Sequence, residues 1–257
     1  YNAGVASIGE MSGTGVVTWN TAIQKYNENS GTEQSQTQNN TVCYDAGAGK
    51  FVIAFTKGEH SSGDRDASMV VATPSGTGSS SALSFGSTVE FGTSAFYGGS
   101  GANTYLVYDS DIERTLLFAG YDDTLYGSVI TISGTTPTAN DFNLLLNENI
   151  GGEGMDVTKN TELSTSSKAI YEVLLRTSDN EVYMLNIEAV GGTTNTLTHS
   201  DTVGARKYDI IGTTDSNHEA LGIAHGSSTS TDNSCGILAM FADGNAPSGD
   251  YSGGGFA

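Results

Sequence analysis

The sequence predicts an all-β fold, a β-propeller of about four four-stranded blades, on three observations. A small-residue turn closes an apolar strand five times along the 257 residues, with the turn glycines at positions 13, 76, 134, 192 and 244. Successive turns lie 52 to 63 residues apart, and a repeat of that length is typical of circular or stacked β architectures. No stretch of ten or more residues sustains the apolar periodicity of a helix. The alternative is a β-sandwich, which would show no such register of turns.

Four strand signals, labelled A to D, recur in each repeat as short runs of β-branched and aromatic residues bounded by Gly, Ser and Asn. Strand A precedes the glycine turn, strand B follows it, and strands C and D form a second hairpin. The A strands are 5–8, 69–72, 129–132, 183–187 and 237–241, and the B strands are 16–19, 83–85, 142–145 and 196–198. The C and D strands are 41–45 with 51–55, 105–109 with 115–118, 155–157 with 169–174, and 208–211 with 220–224.

The D strands are continuous apolar runs, so we expect each to be buried on both faces of its sheet. At this length we expect one domain covering 1–257. Its repeat units are roughly 1–60, 61–124, 125–178 and 179–230, followed by a closing strand in 231–257. The surplus A strand at 237–241 either completes a sheet begun at the N-terminus or begins a fifth, incomplete blade.

The charge balance restricts the partners. With 29 acidic against 10 basic residues the formal net charge is −19, which argues against binding to nucleic acid or to an anionic membrane. No apolar run approaches the roughly 20 residues that a membrane-spanning helix needs. We therefore expect neither a nucleic-acid partner nor membrane insertion.

Acidic turns and two cysteines are the candidates for cofactor or covalent chemistry. The stretches 64–66, 109–113 and 122–123 could offer oxygens to calcium, but none has the ligand spacing of an EF-hand. We predict no cofactor, and a metal site is left open. Asp45 and Asp109 each end a C strand and are expected to accept hydrogen bonds from the turn that follows. Cys43 and Cys235 are either buried free thiols or a disulfide clasp, which requires an oxidising compartment.

No catalytic residue is predicted, because the chain has no paired His-carboxylate spacing and no nucleophile elbow. Exposed aromatic rings beside Asp and Asn suit the binding of sugars, combining apolar contact with hydrogen bonds to hydroxyls. The alternative is that these rings pack between blades. The candidate ligand-binding residues are Trp19, Tyr97, Tyr121, Asp122, Asp123 and Tyr126.

One segment resembles a repeat of marine bacteriophage, above all cyanophage, tail-fibre and virion structural proteins. The resemblance lies in the hairpin Tyr44-Asp45 to Gly49-Lys50, the turn Ser75-Gly76-Thr77 and the strand at 83–87. Residues 41–91 match well and 105–135 match in outline, with Arg114 in place of Lys50. Since the matching positions are strand and turn formers, no ligand residue is carried over.

The resemblance implies a non-enzymatic virion or extracellular module that is adhesive or structural. Its expected partner is a host-surface glycan or protein, or other virion subunits, and it is expected to be multimeric, for example a homo-oligomer. The alternative functions are a capsid or tail decoration protein and, last, a propeller-type carbohydrate-active enzyme. The expected location is extracellular or on the virion surface.

Overall fold

The protein is all-β in the computed structural model, which describes residues 3–27, 36–58, 65–91, 103–121, 124–147, 150–177, 182–190, 196–199, 208–211, 221–226 and 236–241. Within these ranges there is no α-helix, and one short 3-10 helix spans Gly78–Ser80. No helix in this part of the chain has the length and apolar character needed to span a bilayer.

The described strands are all antiparallel to their partners. Those of the first half are β1 Gly4–Ala6, β2 Gly9–Met11, β3 Val17–Trp19, β4 Gln24–Asn27, β5 Gln36–Asp45, β6 Lys50–Gly58, β7 Arg65–Ser75, β8 Ala82–Phe85, β9 Val89–Glu90, β10 Asn103–Asp109 and β11 Arg114–Tyr121. Those of the second half are β12 Thr124–Ser133, β13 Thr136–Asn147, β14 Ile150–Thr165, β15 Lys168–Thr177, β16 Val182–Val190, β17 Leu197–His199, β18 Tyr208–Ile211, β19 Leu221–Gly226 and β20 Gly236–Phe241.

Three of the sheets are four-stranded meanders that follow one another along the chain. The first sheet has the order β5-β6-β7-β8, the second β10-β11-β12-β13 and the third β14-β15-β16-β17. In the first and third sheets a further short strand, β9 or β18, pairs with the third strand beside the fourth. The fourth position is therefore split into two short strands there, whereas β13 occupies it alone in the second sheet.

Each meander joins strands from two consecutive sequence repeats. In the three meanders the C and D strands of one repeat pair with the A and B strands of the next, so the repeat boundaries near 60, 124 and 178 fall between the second and third strands of a sheet. The boundary near 230 falls between the paired strands β19 and β20. The glycine turn joins the third strand to the fourth. Gly76 and Gly134 have φ of 72° and 60° in these turns, a left-handed backbone that glycine adopts without a steric penalty.

The expected burial of the D strands is confirmed in the first three repeats, whereas in the fourth Ile223 of β19 is buried but Ala224 is exposed. Residues 52–55 of β6 are at most 6% exposed, residues 116–119 of β11 are fully buried, and residues 169–175 of β15 are at most 1% exposed. Both faces of these strands are covered because each sheet packs between two neighbours. Continuous apolar runs satisfy both interfaces at once.

The sheets stack in chain order. The N-terminal strands β1–β4 lie on one face of the first sheet, around Tyr26 and Phe55. The opposite face of the first sheet packs on the second through residues such as Val52 and Leu117. The second packs on the third around Phe118 and Tyr171, and the β19–β20 hairpin then contacts β14 and β15 of the third sheet.

Two predicted details are wrong. The A strand expected at 5–8 is divided, because β1 pairs with β4 while β2 pairs with β3. The C strand at 208–211 pairs with β16 rather than with 220–224. β17 pairs only with residues 187–189 of β16. Residues 182–184 of the same edge are therefore free to pair with another strand, and β18 pairs with them. The strand at 220–224 instead pairs with β20.

Candidate functional site

A groove of about 380 Å³ lies between the N-terminal strands and the first sheet. We call it the aromatic groove. Its walls are formed by segment 5–9, Trp19, Tyr26 and the β5 residues Asn40 to Val42, and its floor by Phe51, Ile53, Ala72 and Leu83. The floor is apolar because these residues belong to the same face of the sheet as the cluster around Tyr26.

Two glycines fix the orientation of the aromatic walls. A Cβ on Gly9 would lie 2.9 Å from Cε3 of Trp19, and a Cβ on Gly4 would lie 2.4 Å from Cε2 of Tyr26. Both distances are too short for a real side chain, so each ring packs directly on a glycine backbone. Trp19 nevertheless keeps 64% of its surface exposed, whereas Tyr26 is only 8% exposed. The Trp19 indole is thus fixed in orientation but exposed to solvent at the rim of the groove.

A β-bulge turns one polar side chain into the groove. The register of β5 and β6 shifts between Gln38 and Thr41, and Asn39 takes a positive φ of 51°, which Asn tolerates better than most residues. The carbonyl of Asn39 accepts a hydrogen bond of 2.8 Å from Thr104 Oγ1 of the second sheet. Bulges commonly re-aim a side chain beside a functional site, and here the exposed residue is Asn40.

Asn40 is oriented by Tyr26. The Tyr26 hydroxyl donates to Asn40 Oδ1 at 2.6 Å, which leaves the amide nitrogen without a hydrogen-bond partner among the described residues. Burial raises the pKa of Tyr26, so its hydroxyl stays a donor at neutral pH. The Asn40 amide is therefore a fixed hydrogen-bond donor at the edge of an apolar cavity.

The N-terminal strands are tied to the first sheet by side chains that pair with its edge strand. Gln24 makes two hydrogen bonds of 2.6 Å with the backbone of Leu83, one donated and one accepted. Asn20 donates to the carbonyl of Ser81, and the Ser7 hydroxyl donates to the carbonyl of Asn20 at 2.6 Å. These bonds hold the N-terminal wall of the groove in place.

Of the predicted ligand residues, only Trp19 and Tyr126 have described side chains, and the structure does not bring these two together. Trp19 lines the aromatic groove, whereas Tyr126 lies beyond the opposite face of the first sheet, where it stacks on Phe142 with ring centroids 4.9 Å apart. Tyr121 ends β11, and its side chain is outside the described part of the structure. Tyr97, Asp122 and Asp123 also lie outside the described residues.

Two residues of the groove were missed by the sequence reasoning. Tyr26 and Asn40 lie in segments without the clear strand and turn pattern of the repeat, and Asn40 owes its position to the bulge. The available signal was the pair of glycines at 4 and 9, each facing an aromatic residue on the neighbouring strand.

The expected role of the aspartates at the C-strand ends is confirmed. Asp45 Oδ1 accepts from the backbone N–H of Ala48 at 2.8 Å, and Asp109 Oδ1 accepts from those of Asp111 and Ile112 at 2.9 and 3.2 Å. In the third sheet Asn160 does the same for Glu162 and Leu163, at 3.1 and 3.0 Å. The sequence reasoning did not identify this third copy.

The same aspartates also connect neighbouring sheets. Asp45 Oδ2 accepts a hydrogen bond of 2.9 Å from Thr115, and Asp109 Oδ2 accepts one of 2.6 Å from the Tyr171 hydroxyl. Lys159 forms ion pairs with Asp109 and Asp111 at 2.9 and 2.6 Å. These groups are structural, because every carboxylate oxygen of Asp109 already has a partner.

The pKa values at this cluster follow from its geometry. Burial alone would raise the pKa of Asp109, but the hydrogen bonds from Tyr171, Lys159 and two backbone N–H groups lower it overall. Burial, together with the bond to Asp109, raises the pKa of Tyr171. Burial works against the charge on Lys159, but the bonds to the two aspartates raise its pKa overall. The cluster is thus an ion pair with a neutral tyrosine at pH 7.

Cys43 is a free thiol in the structure. It lies between the first and second sheets, with Sγ 4.0 Å from Thr115 Oγ1. Burial raises the pKa of Cys43 to about 11, which makes the thiol unreactive at neutral pH. Cys235 lies outside the described residues, so the bond between the two cysteines stays a prediction. No group of three or more metal-ligating side chains occurs in the part of the chain described.

Comparisons with known proteins find no match: no family model, no curated protein and no solved structure matches this chain.

Proposed function

We propose that this protein is a non-enzymatic module of a virion or extracellular surface that recognises a host-surface glycan in the aromatic groove. The observation that carries the proposal is the exposed Trp19 ring, held on Gly9 at the rim of a cavity whose other wall presents the Asn40 amide. The resemblance of residues 41–91 to tail-fibre repeats supports the same class of function.

The chemistry of the groove suits a sugar. A pyranose ring has an apolar face that can lie on an indole, and hydroxyls at its edge that need hydrogen-bond partners. Trp19 offers the first contact and Asn40 the second. Both groups are positioned before any ligand arrives, and this reduces the entropy lost on binding.

The decisive test is binding of the soluble protein to a glycan array and to host cells, repeated with Trp19→Ala. We expect Trp19→Ala to weaken binding about tenfold or more, as for truncation of an aromatic anchor. Its effect on the free energy of unfolding should stay below about 1 kcal/mol, because most of the ring is exposed.

Met11→Ala is the matched control for this test. Met11 belongs to the same hairpin as Trp19 and is 71% exposed, but it does not line the groove. Binding by Met11→Ala should equal that of the unmodified protein. Equal binding by Trp19→Ala would refute the proposal.

A second candidate function is a decoration protein that binds another virion subunit or a second copy of itself. It is favoured by the apolar side chains of Val42 and Tyr44, which are 59% and 46% exposed on the groove side of the first sheet. Self-association that depends on Tyr44, in a protein that binds no glycan, would support this alternative.

For the architecture we propose that the sheets are blades of a β-propeller. The support is the stacking of three successive meanders in chain order, flanked by the strands β1–β4 and by the β19–β20 hairpin. A ring brings the two flanking elements together, whereas a β-sandwich or an open stack keeps them apart. A disulfide crosslink engineered between β1 and β20 would form readily only in the ring.

A further inference from the structure

The aromatic groove lacks charge. None of the described residues that line it is Asp, Glu, Lys, Arg or His, although the whole chain carries a net charge of −19. A uronate or a sulfated sugar would lose hydration there without gaining a cationic partner, and the net negative charge would repel it on approach. The groove therefore favours a neutral ligand.

The floor of the groove is aliphatic where it is deepest. Ile53, Ala72 and Leu83 are 6%, 0% and 7% exposed, and their side chains offer no hydrogen-bonding atom. A sugar hydroxyl directed at this floor would give up water and find no partner, which is unfavourable. A methyl group in the same place would bury apolar surface, which is favourable.

The rim fixes how the ligand lies. We expect Trp19 to contact one face of the ring and the amide N–H groups of Asn40 to donate to its hydroxyls, which turns one edge towards Val42 and the floor. The substituent on that edge decides the affinity.

We propose that the groove selects neutral pyranose sugars that carry a methyl group, either as a 6-deoxy or as an N-acetyl substituent. The proposal rests on the glycan-binding function proposed above. The methyl group enters the aliphatic floor while the ring lies on Trp19 and a hydroxyl accepts from Asn40.

The test is calorimetric titration of the whole chain with matched pairs of methyl glycosides. L-fucoside against L-galactoside tests the 6-deoxy methyl, N-acetylglucosaminide against N-formylglucosaminide tests the acetyl methyl, and glucuronide against glucoside tests charge. We expect at least one methyl-bearing sugar to bind about tenfold more tightly than its partner, the lower end of what one methyl contributes in an apolar pocket. Glucuronide should bind more weakly than glucoside.

A variant in the groove wall makes the test specific. Val42→Ser places a hydroxyl beside the expected methyl position and should reduce the tenfold preference to about threefold or less, whereas Met11→Ser on the neighbouring hairpin should leave it unchanged. Circular dichroism of both variants checks that they fold.

The outcomes separate the two proposals. Equal affinities within both pairs, with binding still lost in Trp19→Ala, overturn the methyl selectivity and leave the glycan-binding function standing. Tighter binding of glucuronide than of glucoside also overturns it. Failure of every sugar to bind overturns the glycan-binding function itself, and the selectivity with it.

Discussion

The first and second sheets are built on the same hairpin, and their differences show what the repeat encodes. Tyr44-Asp45 in β5 corresponds to Tyr108-Asp109 in β10. Val42 and Leu106 therefore occupy equivalent positions, each three residues before the aspartate. Leu106 is 5% exposed against the first sheet, whereas Val42 is 59% exposed. Both side chains are aliphatic, but only Leu106 is covered by a neighbouring sheet.

This contrast explains why the groove lies where it does. Every meander presents an apolar face for a preceding sheet, since its strands were selected to stack. Among the described residues, that face of the first sheet is covered only by the short strands β1–β4, which bury Phe55 and Leu83 but leave Val42 open. The aromatic groove is the uncovered part of a stacking surface, and the two Gly-aromatic pairs shape it.

The largest test of this contrast is truncation at the two equivalent positions. Leu106→Ala should lower the free energy of unfolding by about 2–4 kcal/mol, because it opens a cavity between two sheets. Val42→Ala should change it by no more than about 0.5 kcal/mol, as expected for an exposed side chain. Urea denaturation followed by circular dichroism measures both.

Equal destabilisation by the two variants would contradict the contrast, because it would mean that Val42 is as well covered as Leu106. A second variant on the buried side, Leu117→Ala, pairs with Leu106 across the hairpin. It should behave as Leu106→Ala does.

The same contrast marks what could be predicted from sequence. The D strands and the glycine turns at 76 and 134 follow from local patterns, and they lie where expected. The groove could not be predicted, because it depends on which face of the first sheet stays uncovered and on a bulge at Asn39 and Asn40. Trp19 and Tyr126 were both predicted to be exposed aromatic ligand residues, but Trp19 is exposed at the groove whereas Tyr126 stacks on Phe142 of the neighbouring strand of its own sheet. The residues that flank an aromatic residue in sequence do not reveal which face of which sheet its ring contacts.

The second prediction concerns the aspartates at the two sheet interfaces. Because the pKa of Asp109 in the folded state lies below its ordinary value of 3.8, its contribution to stability is complete above that pH and is lost as the pH falls through the folded value. Asp109→Asn should lower the free energy of unfolding at pH 7 by about 1.5–3 kcal/mol, the range for hydrogen bonds to a charged group. It should also flatten the loss of stability below about pH 4.

The partners of Asp109 govern the alkaline side of the pH dependence of stability. The pKa values of Tyr171 and Lys159 are raised from 10.0 and 10.5, so their contributions are complete below those values and decline as the pH rises above them. Asp45→Asn is the matched variant at the interface between the first and second sheets. There the Asp45 carboxylate has the neutral Thr115 hydroxyl as its partner in place of a lysine. A larger effect at pH 7 for Asp45→Asn than for Asp109→Asn would contradict this assignment of the ion pair.

The smallest predicted effect lies in the turns of the same two hairpins. Gly49 and Glu113 occupy equivalent positions and have φ of 65° and 52°, so the second hairpin places a side chain in a left-handed backbone that favours glycine. Glu113→Gly should therefore stabilise the protein by about 0.5–1 kcal/mol, after allowance for the greater freedom of glycine in the unfolded chain. The reverse change, Gly49→Glu, should destabilise it by a similar amount.

A Cβ on Gly49 would have the Tyr44 hydroxyl at 3.9 Å as its nearest neighbour, so the penalty there comes from the backbone and not from a clash. Thermal unfolding of both variants measures the difference. If neither changes the midpoint, the two turns do not hold these residues in a left-handed conformation.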